Sequence, residues 1–175
     1  MTDLTNTQNT EASLEDLASR IGDELASRNE MLVTAESCTG GWVSMLITSI
    51  AGSSSWFDRG FVTYSNEAKQ EMLAVDKQVI EIHGAVSEET ARHMVQGAIE
   101  HSSAQAGLSV TGIAGPGGGS PEKPVGTVCF GWQVDGQCET ETCHFSGNRQ
   151  EIREQSVRQV LTGILARLET RSDRD

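Results

Sequence analysis

Four chemically capable side chains, Glu36, Ser37, Cys38 and Thr39, sit side by side in the stretch TAESCTGG, residues 34–41. A hydroxyl or thiol here could attack an electrophilic carbon once a base removes its proton. The apolar run MLV precedes the stretch and WVSMLITSI follows it, so the four residues fall where a strand passes into a helix. Such a turn exposes side chains beside helix N–H groups that carry a partial positive charge. Those are the components of an oxyanion hole or an anion cradle. Gly40 and Gly41 would let a ligand come close to the backbone. A plainer role fits the same residues: Ser37 or Thr39 could simply cap the helix.

A serine needs a base, and the segment TYSNEAK offers one in Lys69, one turn into a helix that Ser65 would cap. A lysine serves as a base when desolvation lowers its pKa, and serine–lysine pairs are a known arrangement. Tyr64, the only tyrosine, is placed at a strand end where it could relay a proton or position the lysine. In VTGIAGPGGGSPEKPVGT, a strand ending at Thr111-Gly112 opens a glycine- and proline-rich loop over residues 113–125. Ser120 stands where a dinucleotide fingerprint has its last glycine, and no GKS or GKT follows, so neither nucleotide motif is present. The loop's N–H groups could still cradle a phosphate or a sugar. In FSGNRQEI, Asn148 and Glu151 have capping-box spacing, which puts Arg149 at the first helical position. A cation there opposes the helix dipole, unless an anionic ligand binds between the two.

The elements that must carry these residues follow from periodicity. Helices are predicted from Ser13, over 43–50, over 65–75 with a short continuation to 82, from Ser87, and from near Asn148. Strands are predicted at MLVTA, GFVTY (60–64) and AGLSVTG, and as a hairpin of GTVCFGWQV and CETETCHF about Asp135-Gly136. This order predicts an α/β fold: one three-layer α/β/α domain with a mixed central sheet. Residues 1–12 read as a polar tail, 13–168 as the domain and 169–175 as a solvated tail.

Composition narrows the partners. The 175 residues carry a net charge of −12 with no Lys/Arg-rich run, which argues against nucleic acid as a ligand. A small anion remains compatible, because one local pocket can oppose the net charge. Cys38, Cys129, Cys138 and Cys143 form no CxxC pair, and His83, His93, His101 and His144 show no metal-ligand spacing. No metal and no cofactor are expected. No apolar run approaches a membrane span and the first residues lack a secretory pattern, so the expected setting is the cytoplasm with reduced thiols.

Taken together, TAESCTGGWV, GSSSWFDRGFVTYSNEAK, HGAVSEETA, SVTGIAGPGGG, EKPVGTV and FSGNR resemble the CinA C-terminal domain family over roughly residues 13–168. The resemblance implies a single α/β/α domain, commonly dimeric, that hydrolyses nicotinamide mononucleotide (NMN) to nicotinate mononucleotide and ammonia in NAD salvage. It implies Ser37 as nucleophile, Lys69 as general base and Tyr64 as an assistant. It places Thr39, Gly40, Gly41, Thr111, Gly112 and Arg149 along the nucleotide site, with Arg149 on the phosphate and the Thr39–Gly41 amides on the oxyanion. The preference for Ser37 over Cys38 rests on the resemblance; residue chemistry alone leaves both open. A catalytically silent nucleotide-binding or competence-associated module is the alternative, and action on another ribosyl phosphate such as ADP-ribose is a weaker one.

Overall fold

The computed structural model describes residues 12–172. The expected polar tail therefore lies outside the described residues except at Ala12. Helix α1 (Leu14–Ser27) starts as its sequence suggests: Ser13 Oγ accepts the Asp16 amide and the Asp16 carboxylate accepts the Ser13 amide. Strand β1 (Leu32–Glu36) leads into the short helix α2 (Trp42–Thr48), then β2 (Phe57–Val62) and α3 (Asn66–Leu73). Next come α4 (Lys77–His83), α5 (Glu88–Glu100) and β3 (Ala106–Gly112). The hairpin of β4 (Thr127–Val134) and β5 (Gln137–His144) precedes the long α6 (Arg149–Ser172).

Among the described residues, five strands form one sheet in the order β2-β1-β3-β4-β5. β2, β1 and β3 run parallel, while β4 and β5 are antiparallel additions. The sheet is mixed, as expected, and helices cover both faces. Leu32 of β1, Leu108 and Val110 of β3, and Phe130 and Trp132 of β4 pack with α1, α2 and α6. Val33 and Ala35 point the other way, toward Leu73 of α3, Ile80 of α4 and Met94 of α5. This alternation is the period of two inherent to a strand. None of the described helices is long and apolar enough to cross a membrane.

Two boundaries differ from expectation. β2 is Phe57–Val62 rather than 60–64, because Trp56 and Phe57 already anchor that strand beside Leu32. Tyr64 consequently lies beyond the strand. The segment 169–172 is not a solvated tail: α6 continues through it, and Arg171 is only 4% exposed, paired with Glu30 and Asp135. Its two terminal nitrogens each meet a carboxylate, while the buried Nε has no partner among the described residues. Residues 173–175 lie outside the described residues.

The topology creates a crevice. The β1–β2 connection carries α2 over one face, and the β2–β3 connection carries α3, α4 and α5 over the other. β1 and β3 are neighbours whose connections leave in opposite directions, and such switch points open a cleft at the carboxyl ends of parallel strands.

Candidate active site

At the carboxyl end of β1, alternation separates two neighbours. Glu36 turns to the α2 face and Ser37 to the α3 face. The fully buried Glu36 carboxylate accepts the Gly41, Val43 and Ser44 amides and the Thr39 and Ser44 hydroxyls, at 2.7–3.1 Å. It is the anion at the α2 N-terminus, supplied by the chain itself. The path from β1 into α2 needs two consecutive left-handed residues, Gly40 at φ 60° and Gly41 at φ 97°, which side chains with a Cβ disfavour.

On the other face, Ser37 is 8% exposed and its Oγ lies 3.0 Å from Nζ of Lys69. Lys69 is 1% exposed and reaches inward on the same side of α3 as Leu73, one turn on. Ser65 starts that helix by accepting the Ala68 amide at 3.0 Å, the cap legible in the sequence. Nζ also donates to the Thr63 carbonyl at 2.8 Å, just past β2. No carboxylate pairs with the amine among the described residues. Burial lowers its pKa from 10.5 to about 8, with a smaller opposing pull from Cys38. A lysine tuned this way is partly neutral at physiological pH and can accept the Ser37 proton while the Thr63 carbonyl keeps its orientation.

Cys38 adjoins Ser37 but is not activated. Burial pushes its thiol up to about 12, outweighing the influence of Arg153 and Lys69. At neutral pH it is a thiol, and the thiol is a poor nucleophile.

Ser37, Cys38 and Lys69 line a cavity of about 270 Å³ with Tyr64, Asn66, Thr111, Gly112 and Arg149. Ala85, Val86 and Ala114 complete its wall. Thr111 is fixed by donation to the Ala85 carbonyl at 2.8 Å. Arg149 opens α6, capped reciprocally by Asn148 and Glu151 as their spacing suggested. Its guanidinium donates to the Gly115 carbonyl at 2.8 Å and the Tyr64 hydroxyl at 3.0 Å, spanning the cavity mouth.

Two expectations need correcting. The Tyr64 hydroxyl makes no hydrogen bond to Ser37 or Lys69; the residue is 62% exposed and bound to Arg149, which removes it from a proton relay in this state. Thr39, Gly40 and Gly41 do not line the serine's cavity. They border a separate groove with Trp42, Met45, Gln150 and Arg153. The Gly40 amide is taken by the Ser37 carbonyl at 3.0 Å and the Gly41 amide by Glu36 at 3.1 Å, so neither is free for an oxyanion. Sequence reasoning gave no role to Asn66, within TYSNEAK, to Ala85 and Val86, within HGAVSEETA, or to Arg153, which reaches the turn from α6. Arg153 donates to the Cys38 carbonyl at 3.1 Å and the Thr39 carbonyl at 3.0 Å.

The fold and this cavity define a three-layer α/β/α domain with a serine and a buried, unpaired lysine at the carboxyl edge of its parallel strands. Comparison with known proteins gives the family. The family model of the CinA C-terminal domain matches residues 14–168. The chain is 48% identical over 153 residues to the nicotinamide-nucleotide amidohydrolase PncC of Escherichia coli K12, spanning 87% of this chain and 93% of that protein. It is 45% identical over 149 residues to PncC of Pseudomonas putida, spanning 85% and 93%. Among solved structures, a CinA superfamily protein from Enterobacter cloacae superposes with a TM-score of 0.90 at 31% identity, covering 96% of this chain and 98% of that one. The competence/damage inducible protein CihA from Agrobacterium tumefaciens gives 0.87 at 44% identity, covering 91% and 97%. The chain belongs to the CinA C-terminal domain family.

Proposed function

We infer that this protein is an amidohydrolase that deamidates NMN, with Ser37 as nucleophile and Lys69 as general base. The observation that carries the reading is the 3.0 Å contact between the serine hydroxyl and a lysine amine that burial has tuned to about 8, inside one cavity. The names borne by the relatives supply the substrate.

The chemistry divides into two displacements. Neutral Lys69 takes the Ser37 proton as Oγ attacks the carboxamide carbon. The carbonyl oxygen becomes an oxyanion, and the lysine then gives its proton to the leaving nitrogen. The C–N bond breaks, ammonia departs, and an ester joins Ser37 to the nicotinate carbonyl. Water, deprotonated by the same lysine, attacks the ester and releases nicotinate mononucleotide, which restores the hydroxyl. Atoms balance as amide plus water giving acid plus ammonia. Arg149 at the mouth is assigned to the phosphate, with Thr111 and Gly112 along the ribosyl path. Tyr64 offers its ring to the pyridine at the rim. In this reading the reaction serves NAD salvage in the cytoplasm, and the chain works as a homodimer.

Purified protein is incubated separately with NMN, NAD, nicotinamide and ADP-ribose, and products are separated chromatographically. Ammonia and nicotinate mononucleotide from NMN alone are expected. Binding of NMN without ammonia release would replace the enzyme by a silent binding module, and cleavage of ADP-ribose alone would replace the amidase by a different hydrolase.

A further inference from the structure

The turn carrying Ser37 is gripped from two directions. Glu36 gathers the amides on the α2 side, as described. On the other side the carbonyls are held: that of Ser37 by the Gly40 amide at 3.0 Å, and those of Cys38 and Thr39 by Arg153 at 3.1 and 3.0 Å. A trans peptide points its N–H opposite to its C=O. The only cis peptide among the described residues is Gly115-Pro116, so the peptides of the turn are trans. Fixing the Ser37 carbonyl therefore aims the Cys38 amide the opposite way, and fixing the Cys38 carbonyl does the same for the Thr39 amide. Among the described residues the Cys38 amide has no partner beyond its own side chain, and Cys38 lines the serine's cavity, whereas Thr39 does not. The amide after the nucleophile is the usual oxyanion donor at such turns.

Arg153 suits the task. Its planar fork spans two neighbouring carbonyls, and the Trp42 ring lies 5.4 Å from the guanidinium carbon. It lies in the groove behind the turn rather than in the serine's cavity, so it touches no substrate. A lysine would supply a point charge without the fork.

We propose that Arg153 is a positioning residue: by holding the Thr39 carbonyl it sets the Thr39–Gly40 peptide, whose amide fixes the Ser37 carbonyl, so that the Cys38 amide faces the scissile carboxamide and receives its oxyanion. This rests on the amidohydrolase reading above. The oxyanion donor is thereby moved from the Thr39–Gly41 amides to that of Cys38, and an arginine 115 residues downstream of Cys38 controls it through the turn.

The test compares wild type, Arg153→Lys and Arg153→Ala for kcat and KM on NMN, with and without low-millimolar guanidinium ion. Inhibition by pyridine-3-boronic acid is measured in parallel, since a boronate on Ser37 places a hydroxyl where the oxyanion would form. Both variants should lose about a hundredfold in kcat, the scale of one misplaced oxyanion donor, with KM held within about threefold. Boronate affinity should fall in step with kcat/KM, and guanidinium ion should restore part of kcat in Arg153→Ala only. An arginine with a merely structural role would lower the melting temperature and leave kcat of the folded fraction and boronate affinity unchanged. Should Arg153→Ala fail to fold, Arg153→Lys decides: wild-type kcat, or a raised KM with unchanged boronate affinity, overturns the proposal. Wild type that binds boronate but leaves NMN intact would instead defeat the amidohydrolase reading.

Discussion

The titration of Lys69 ties structure to rate most quantitatively. Its amine is buried with no carboxylate beside it, and its pKa is lowered to about 8. Only the neutral amine can accept the serine proton. With that value, about one lysine in eleven is neutral at pH 7, half at pH 8 and about ten in eleven at pH 9. The logarithm of kcat/KM should rise with a slope near one below pH 8 and level above it, a gain of about tenfold between pH 7 and 9. The substrate's phosphate has finished its second ionisation by pH 7 and does not contribute over this window. Stability should follow with a definite sign. A lysine depressed in the folded state binds its proton more readily in the unfolded chain. Its burial therefore destabilises the fold below pH 8, by about 3 kcal/mol, and that cost fades as pH rises from about 8 to 10.5. Stopped assays of ammonia release give the rate profile, and urea unfolding at each pH gives the stability profile. Lys69→Met should be inactive and should lack the Lys69 component of the stability profile. A rate flat from pH 7 to 9, or the same rise in Lys69→Arg, would refute the assignment of Lys69 as base.

Other substitutions probe the remaining parts of the site. Cys38→Ala should keep kcat within about threefold, and iodoacetamide should not inactivate wild type at pH 7, because the thiol is pushed up to about 12; inactivation that Cys38→Ala abolishes would contradict this. Glu36→Ala strips three amides and two hydroxyls of their acceptor. It should cost about 3 kcal/mol or more, seen as a melting temperature lower by about 6–12 °C; an unchanged melting temperature would show that the turn does not need its internal anion. Arg149→Ala should raise KM for NMN about tenfold or more with a smaller effect on kcat, the signature of lost phosphate binding; an equal fall in kcat with KM unchanged would move Arg149 to the reacting end.

Much of this arrangement follows from local patterns. The caps at Ser13, Ser65, Ser87 and Asn148 and the turn at Asp135-Gly136 depend on neighbours a few residues away. The Ser37–Lys69 pairing required the fold, but the two sit on consecutive βα units, which limits where they can meet. What escaped were long-range partnerships. The linear sequence leaves Glu36 open between a catalytic and a structural role, and strand alternation turns it to the opposite face from Ser37, where it binds the turn's own amides. Gly40 and Gly41 have the composition of an anion cradle, but their amides are spent within the turn. Arg153 lies 114 residues from Thr39, and nothing near it in sequence announces the contact. Arg171 reads as part of a charged tail until Glu30 and Asp135 converge on it.

The central claim is that the Ser37 oxygen carries the acyl group during turnover. Acid quench of wild type mixed with saturating NMN, followed by peptide mass spectrometry, tests it directly. The expected result is a nicotinate-ribotide ester on the peptide containing Ser37, absent from Ser37→Ala and Lys69→Ala, both of which release ammonia at least about a thousandfold more slowly. An adduct retained in Ser37→Ala, or ammonia release by that variant at the wild-type rate, would contradict the account.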